Sequence, residues 1–385
     1  MKKISHILVF PPFSAPYIGG IVSHSEEFAQ AFAARDIKVT MFVPLLPSLP
    51  QVRGIHNIRR IYYPAIEPIL HFPVPKVWTL AFWHSLRQLE PCQYDCVFSR
   101  TRFFPITFIT MLYAKTKNIP WIHIEHGTDH VQRLGTPATK FFSRLYDATI
   151  GRLVFKYANE VIAISPSVHI FLKSFGRTNS KIIHRGLDCR AYESISPDYS
   201  IRSHFPNKTL IMWAGRMSRW KGVHNSIKAI ALLPRAIREQ IVLVLIGDGE
   251  EQAQLQQLSK GLPVIFSGSL SRESVIGLLK SSDIFIHSSY EGGALSTALL
   301  EAMFCKNAIV ATPHEGAPEV IVNGETGFLA DNTSPQSIAQ CLKILAADKD
   351  LIRALGERAH DYVQKNFSWG EAVNRYLEVI QSIDR

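Results

Sequence analysis

Apolar residues along this chain follow two alternating rhythms. Short, nearly unbroken runs have the pattern of strands covered on both faces. Longer stretches with an apolar residue every third or fourth position have the pattern of helices with one buried stripe. The runs Ile4–Phe10, Ile37–Val43, Cys96–Ser99, Trp121–Ile124, Glu160–Ser165 and Lys181–His184 predict strands. The stretch through Glu26, Phe28, Ala29, Phe32 and Ala33, and another around Phe108–Ala114, predict helices between them. Strands separated by helices pair in parallel through crossovers, so the first part of the chain reads as doubly wound α/β.

The rhythm breaks at Tyr192–Ser200, a polar, proline-containing stretch that reads as a linker, and then restarts. Thr209–Trp213, Ile241–Ile246, Val264–Phe266, Ile284–Ser288 and Ala308–Ala311 predict the strands of a second sheet. The chain thus divides into two Rossmann-like domains, 1–195 and 196–368, followed by a closing segment, 369–385, whose helix over Gly370–Ile383 is expected to pack back on the first domain. One stretch stands out. Pro73–Leu89 carries Trp78, Leu80, Phe82, Trp83, Leu86 and Leu89 beside Lys76 and Arg87, an aromatic, basic amphipathic pattern that suits either a membrane surface or an ordinary core.

Charge sharpens this picture. The 385 residues carry a net charge of +10, but residues 1–195 hold 23 Lys+Arg against 12 Asp+Glu, hence +11, while 196–385 hold 19 against 20, hence −1. A basic first half implies an anionic partner such as a membrane surface or a lipid phosphate, unless the charge serves solubility alone. No dedicated nucleic-acid module is visible. Cys92, Cys96, Cys189, Cys305 and Cys341 are scattered without zinc-ribbon spacing and read as reduced, cytosolic thiols. The apolar run after Met1-Lys2-Lys3 is too short for a signal peptide, and no run approaches the ~20 apolar residues that span a bilayer. The expected location is cytoplasmic, with peripheral contact at the inner face of the cell membrane.

The chemistry concentrates in the second half. Tyr290–Met303 follows a predicted strand and reads as a glycine loop opening a helix, a ready site for a phosphate. Glu291 stands at its mouth and Glu301 inside the helix, where an acid can reach the ribose of a nucleotide. In isolation the two read equally well as solvated surface acids. Ala214–Val223 also lies between strand and helix, and Arg216 and Lys221 would project into the crevice at the strands' carboxyl ends, two cations suited to a diphosphate. Gly247-Asp248-Gly249 makes a further tight turn at that edge.

These elements occur in a recognisable order. Gly19-Gly20, Glu125-His126-Gly127, the Gly215–Gly222 loop, Gly247-Asp248-Gly249, Glu291 to Met303, Gly316–Ile321 and Asn323–Leu329 resemble the motifs of family 4 glycosyltransferases over almost the whole chain, most specifically over 209–330. The resemblance implies a GT-B fold, two Rossmann-like doubly wound domains facing across a cleft, with the first binding the acceptor and the second the nucleotide sugar. It implies retaining transfer of a hexose-type sugar from a nucleotide-diphosphate sugar, a UDP-sugar by expectation, to a glycan or lipid-linked glycan acceptor. Surface-polysaccharide or lipopolysaccharide assembly in a bacterium is the implied setting, with no catalytic metal and no other cofactor.

By the same resemblance, Arg216 and Lys221 neutralise the donor diphosphate and Glu301 binds the ribose. Glu291 contacts the donor sugar, and His126 sits against the transferred sugar. Gly19, Gly20, Gly247, Gly292, Gly293 and Ala294 line the donor, and the amides around Leu295, Ser296 and Thr297 cap the distal phosphate. One departure stands out. The family's two acids are commonly separated by seven residues, whereas nine lie between Glu291 and Glu301, so the expected first acid falls on Gly293 unless Gly292-Gly293 loop out.

Other readings compete. His123, Glu125, His126, Asp129 and His130 are metal-ligand types, but His123 and His126 differ in strand parity and Gly127 breaks any helix aligning His126 with His130. Asp348-Lys349-Asp350 reads as a helix-joining turn. A nucleotide-sugar epimerase of similar fold and a non-catalytic polysaccharide-binding scaffold share the same strand and helix pattern.

Overall fold

In the computed structural model, which describes residues 3–17, 20–46, 50–52, 55–69, 72–89, 94–127, 144–291, 295–314 and 316–383, the apolar runs form two sheets. The first has eight strands: β1 (His6–Phe10), β2 (Lys38–Leu45), β3 (Ile58–Ile69), β4 (Phe72–Pro75), β5 (Cys96–Arg100), β6 (Trp121–Glu125), β7 (Glu160–Ala163) and β8 (Lys181–Ile182). Their order is β4-β3-β2-β1-β5-β6-β7-β8, and every pairing is parallel except β3 with β4. Successive side chains leave opposite faces, so Leu8, Phe10, Phe42 and Val97 enter one core while Ile7, Val9, Met41 and Phe98 enter the other. Helices Leu80–Arg87, Pro105–Lys117, Arg152–Tyr157 and Pro166–Lys173 cover the first face. Gly20–Ala33 and Trp369–Ile383 cover the second.

The stretch 73–89 is only partly the amphipathic helix its pattern predicts. Phe72-Pro73-Val74-Pro75 instead forms β4, the edge strand, where a proline's missing N–H leaves no ladder bond unmade. The helix begins later, at Leu80, with Thr79 as its N-cap accepting from Phe82 N.

The second sheet contains β9 (Thr209–Ala214), β10 (Ile241–Ile246), β11 (Val264–Gly268), β12 (Ile284–His287), β13 (Ala308–Ala311) and β14 (Phe328–Leu329), all parallel, in the order β11-β10-β9-β12-β13-β14. Leu210, Met212 and Phe285 face one core, Ile211, Trp213 and Ile286 the other. In both sheets the order reverses at the middle, between β1 and β5 and between β9 and β12.

The chain divides into two compact units, 1–186 with 369–385, and 187–368. The boundary therefore falls at Gly186–Leu187 rather than at 195. The polar stretch beginning at Tyr192 misled because its one large ring is buried. Cys189–Ser194 is a helix of the second unit, and Tyr192 packs 5.7 Å from Phe304. Asp348 likewise does more than join helices, since its carboxylate caps Lys349–Asn366 through Leu351 N at 2.9 Å. No helix among the described residues is long and apolar enough to cross a membrane.

The closing helix belongs to the first unit's core. Tyr376 is fully buried, its ring 5.1 Å from Phe28 and 6.0 Å from Phe98, and Trp369 Nε1 donates to Glu27 Oε2 at 3.0 Å. Tyr376→Ala is expected to cost about 3–5 kcal/mol of stability, measured by denaturant unfolding, and Tyr376→Phe much less.

Candidate active site

At the reversal in the second sheet, crossovers leave in opposite directions and open a crevice above the carboxyl ends of β9 and β12, the place where open α/β sheets hold ligands. The two loops that rise there are locked together. Tyr290 N donates to Trp220 O at 3.0 Å, Ser288 Oγ to Lys221 O at 3.0 Å, and Trp213 Nε1 to Ser288 Oγ at 3.2 Å. Only glycine permits this approach at position 222, where φ is +68° and a Cβ would lie 2.0 Å from Ser288 O. Gly247 is constrained in the same way, since a Cβ there would lie 1.9 Å from Gly215 O.

Arg216 is three-quarters exposed and its Nε meets Glu250 Oε2 at 3.2 Å. Lys221 lies with its ammonium 4.3 Å from the centre of the Trp220 ring. Burial and the nearby Lys221 charge hold His287, at the end of β12, down to about 3. Helix Thr297–Phe304 follows β12 with Ser296 at its N-cap, and no acid occupies its first turn, so the partial positive charge of that helix end is not offset by its own side chains. Leu295 and Ser296 are half-buried, Glu291 is exposed, and Gly292, Gly293 and Ala294 lie outside the described residues.

Glu301 is buried, unlike a surface helix acid. Its Oε1 accepts from Tyr192 OH at 2.9 Å and from Arg272 Nε at 2.7 Å, and Arg272 also bonds the Tyr192 hydroxyl and stacks 5.2 Å over that ring. Arg272 opens the helix after β11, so three separate elements converge on one carboxylate.

The carboxyl edge of the first sheet carries a second, denser constellation. Glu125 ends β6, and its Oε1 accepts from His126 N at 2.9 Å and Gly127 N at 2.8 Å, which fixes the turn that presents His126. Its Oε2 accepts from Arg102 N at 3.1 Å and lies 3.3 Å from His123 Nε2. Arg102, itself buried, grips Asp147 through Nε at 2.7 Å and Nη2 at 3.0 Å. Burial alone would push the Glu125 pKa up, but Arg102, His123 and the Gly127 amide outweigh it and hold the carboxylate far below its usual range. With His123 engaged by Ser99 and Glu125, and His130 outside the described residues, no group of His, Cys, Asp and Glu among the described residues is arranged as metal ligands.

His126 packs edge to face on His24, 4.8 Å between ring centres, and its buried Nε2 has no hydrogen-bond partner among the described residues. Arg100, wholly buried over the Phe28 ring, donates to His24 Nδ1. Burial, followed by the Arg100 charge, holds His126 down to about 3, so it is neutral at physiological pH. Gly20 is the first residue of helix Gly20–Ala33, and Gly19 lies outside the described residues.

The comparisons with known proteins agree with this architecture. A model of glycosyltransferase family 4 matches residues 18–191, and one of group 1 glycosyl transferases matches 199–362. An uncharacterised glycosyltransferase of Methanocaldococcus jannaschii is 38% identical over 100% of this chain and 100% of its own. The chain belongs to the family 4 glycosyltransferases. A GDP-mannose-dependent phosphatidylinositol dimannoside mannosyltransferase of Mycobacterium tuberculosis is 26% identical over 66% of this chain and 68% of its own. HepE of Anabaena, crystallised with UDP, is 19% identical with a TM-score of 0.73 over 98% of this chain and 100% of its own, which shows the shared GT-B fold. Family membership sets aside the epimerase and scaffold readings.

Some of this glycosyltransferase's site was not legible along the chain. The structure ties the Arg216–Lys221 loop to the end of β12, the strand ahead of the helix that carries Glu301, but Arg216 bonds Glu250. Tyr192, Arg272, His24, Arg100 and the Arg102–Asp147 pair were missed. A buried arginine carries no local signature, and only the Ser271 cap ahead of Arg272 marks where its helix starts.

The depressed histidines make a stability prediction. Below pH 6.5 the unfolded chain takes up protons at His24, His126 and His287 that the folded chain refuses, His126 and His287 until about pH 3. The unfolded state then binds more protons, so stability falls as pH drops below 6.5, by up to ~1.4 kcal/mol per pH unit for each histidine. Glu125 adds loss in the same direction at lower pH. Thermal unfolding between pH 7.5 and 5 is the measurement, and His126→Asn should flatten the slope by about one proton.

Proposed function

We propose that this glycosyltransferase transfers a hexose-type sugar, with retention, from a UDP-sugar to an anionic, lipid-linked glycan acceptor used in bacterial surface-polysaccharide assembly. The observation that carries the donor half is the interlocked crest at the second sheet's reversal, where the Arg216–Lys221 loop lies against the end of β12, the strand that leads to helix Thr297–Phe304. Two cations and the N-terminal end of a helix suit a diphosphate leaving group. Departure of that group concentrates negative charge, and fixed cations and a helix N-terminus stabilise the charge where it develops.

In this reading Arg216 leaves Glu250 for the diphosphate. Their pairing is solvent-exposed and of the weak kind, so exchanging it for a doubly charged ligand costs little. Glu301, oriented by Arg272 and Tyr192, accepts the ribose hydroxyls, and Glu291 a hydroxyl of the sugar. His126, neutral and with Nε2 uncommitted, hydrogen-bonds the transferred sugar. A front-face route needs no carboxylate nucleophile: the glycosidic C–O bond to phosphate breaks, the acceptor oxygen bonds the anomeric carbon on that same face, and the acceptor proton passes to the departing phosphate. HepE, crystallised with UDP, supports a uridine donor, and the basic 1–195 half supports an anionic acceptor. No step asks for a metal.

A panel of UDP-, GDP- and ADP-sugars tested for thermal stabilisation, then for turnover with lipid-linked acceptors, decides the donor. UDP-sugars are expected to raise the melting temperature. Arg216→Ala and Lys221→Ala should each lower kcat by about 10²–10³-fold with little change in unfolding temperature. Stabilisation by GDP-mannose alone would replace the uridine reading.

A further inference from the structure

The two helical layers of the first unit differ in chemistry. On the layer formed by Leu80–Arg87, Pro105–Lys117, Arg152–Tyr157 and Pro166–Lys173, large apolar side chains point into solvent. Trp78 is 65% exposed, Leu80 90% and Trp83 49%, at or just before the first of these helices. Leu112, Leu153, Tyr157 and Ile170 continue the exposure across the others, and Leu145 lies in the stretch leading into Arg152–Tyr157. Among the described residues of this unit, every exposed large apolar side chain except Ile55 belongs to this layer or to the stretches leading into its helices Leu80–Arg87 and Arg152–Tyr157. The opposite layer, Gly20–Ala33 with Trp369–Ile383, contributes none.

Charge separates the layers in the same sense. Segments 72–89, 105–117, 144–157 and 166–173 hold two, two, three and one Lys or Arg against a single acid, Asp147, which is buried on Arg102. The opposite helices hold one, Arg375, against four acids, Glu26, Glu27, Glu371 and Glu378.

We propose that the first of these layers docks on an anionic lipid bilayer. Exposed tryptophans and leucines among cations, with no exposed acid in those segments, match the boundary between acyl chains and anionic headgroups. A polyanion in water would use the lysines and leave Trp78 and Leu80 hydrated; an ordinary solvated face would not concentrate the apolar side chains on one layer. Position supports the same occupant. Lys76 N donates to Pro64 O at 2.9 Å, and Pro64 pairs with Leu45, the last residue of β2. The patch therefore begins level with the sheet's carboxyl edge, where Glu125 and His126 also lie, so docking brings that edge close to lipid.

The test is co-sedimentation of the full chain with phosphatidylcholine vesicles, with and without a third phosphatidylglycerol. Binding is expected only to the anionic vesicles and should weaken with salt. The triple substitution Trp78→Ser, Leu80→Ser, Trp83→Ser should lower vesicle affinity by about ten-fold or more at unchanged unfolding temperature. Lys117→Glu with Arg152→Glu, a set that leaves the apolar patch intact, should lower it by about five-fold per charge, and Glu378→Lys on the other layer should not raise it comparably. Equal binding to both vesicle types, wild-type binding by both sets, or a concentration-dependent dimer that the serine set abolishes would overturn the proposal. Donor turnover on a soluble acceptor is read separately, so failure here leaves the donor reading untouched.

Discussion

The reversal of strand order in each sheet is the constraint on which the functional architecture depends. Right-handed crossovers that leave a strand pair in opposite directions cannot cover the space above it, so the carboxyl ends of β9 and β12 stand open. Whatever fills that space must come from two loops. Here they are tied to each other through Tyr290 to Trp220 and Ser288 to Lys221, with Gly222 allowing backbone to touch backbone. The loop backbone is held in place this way, while the exposed Arg216 side chain, bonded to Glu250, has to turn to meet an anion in the proposed reading.

The first sheet solves a different problem at its own reversal. Arg100 and Arg102 are fully buried, where a lone charge would be very costly. Arg102 is matched by Asp147 and Glu125, and Glu125 spends its remaining lone pairs on the amides of His126 and Gly127. The ion network thereby becomes the support of a turn, and the turn presents an imidazole kept neutral by burial and by Arg100. Electrostatics here position a side chain more than they stabilise the fold.

The closing helix shows how sequence-distant segments complete a core. Phe28, Phe32 and Phe98 form an aromatic surface that the first 186 residues leave without a cover, and Tyr376 with Trp369 supplies it. One consequence is chemical segregation: the layer that receives this helix is acidic, and the other is basic and apolar.

By itself the sequence determined the fold class, the two-sheet organisation, the closing helix and the order of loops that carry Arg216, Lys221, Glu301 and His126. Those features follow from local periodicity and from glycines at strand ends, both written within a few residues of one another. It did not determine that the division falls at Gly186 rather than 195, because Tyr192 looks polar in context yet is buried on Phe304 and Glu301. Nor did it determine that β4 is an edge strand, that Arg216 meets Glu250, or that Arg272 orients Glu301. Those depend on partners 29 to 109 positions apart, and no pattern along the chain encodes which distant side chain a buried charge will meet. Only the folded sheet, by fixing which strand ends become neighbours, decides that.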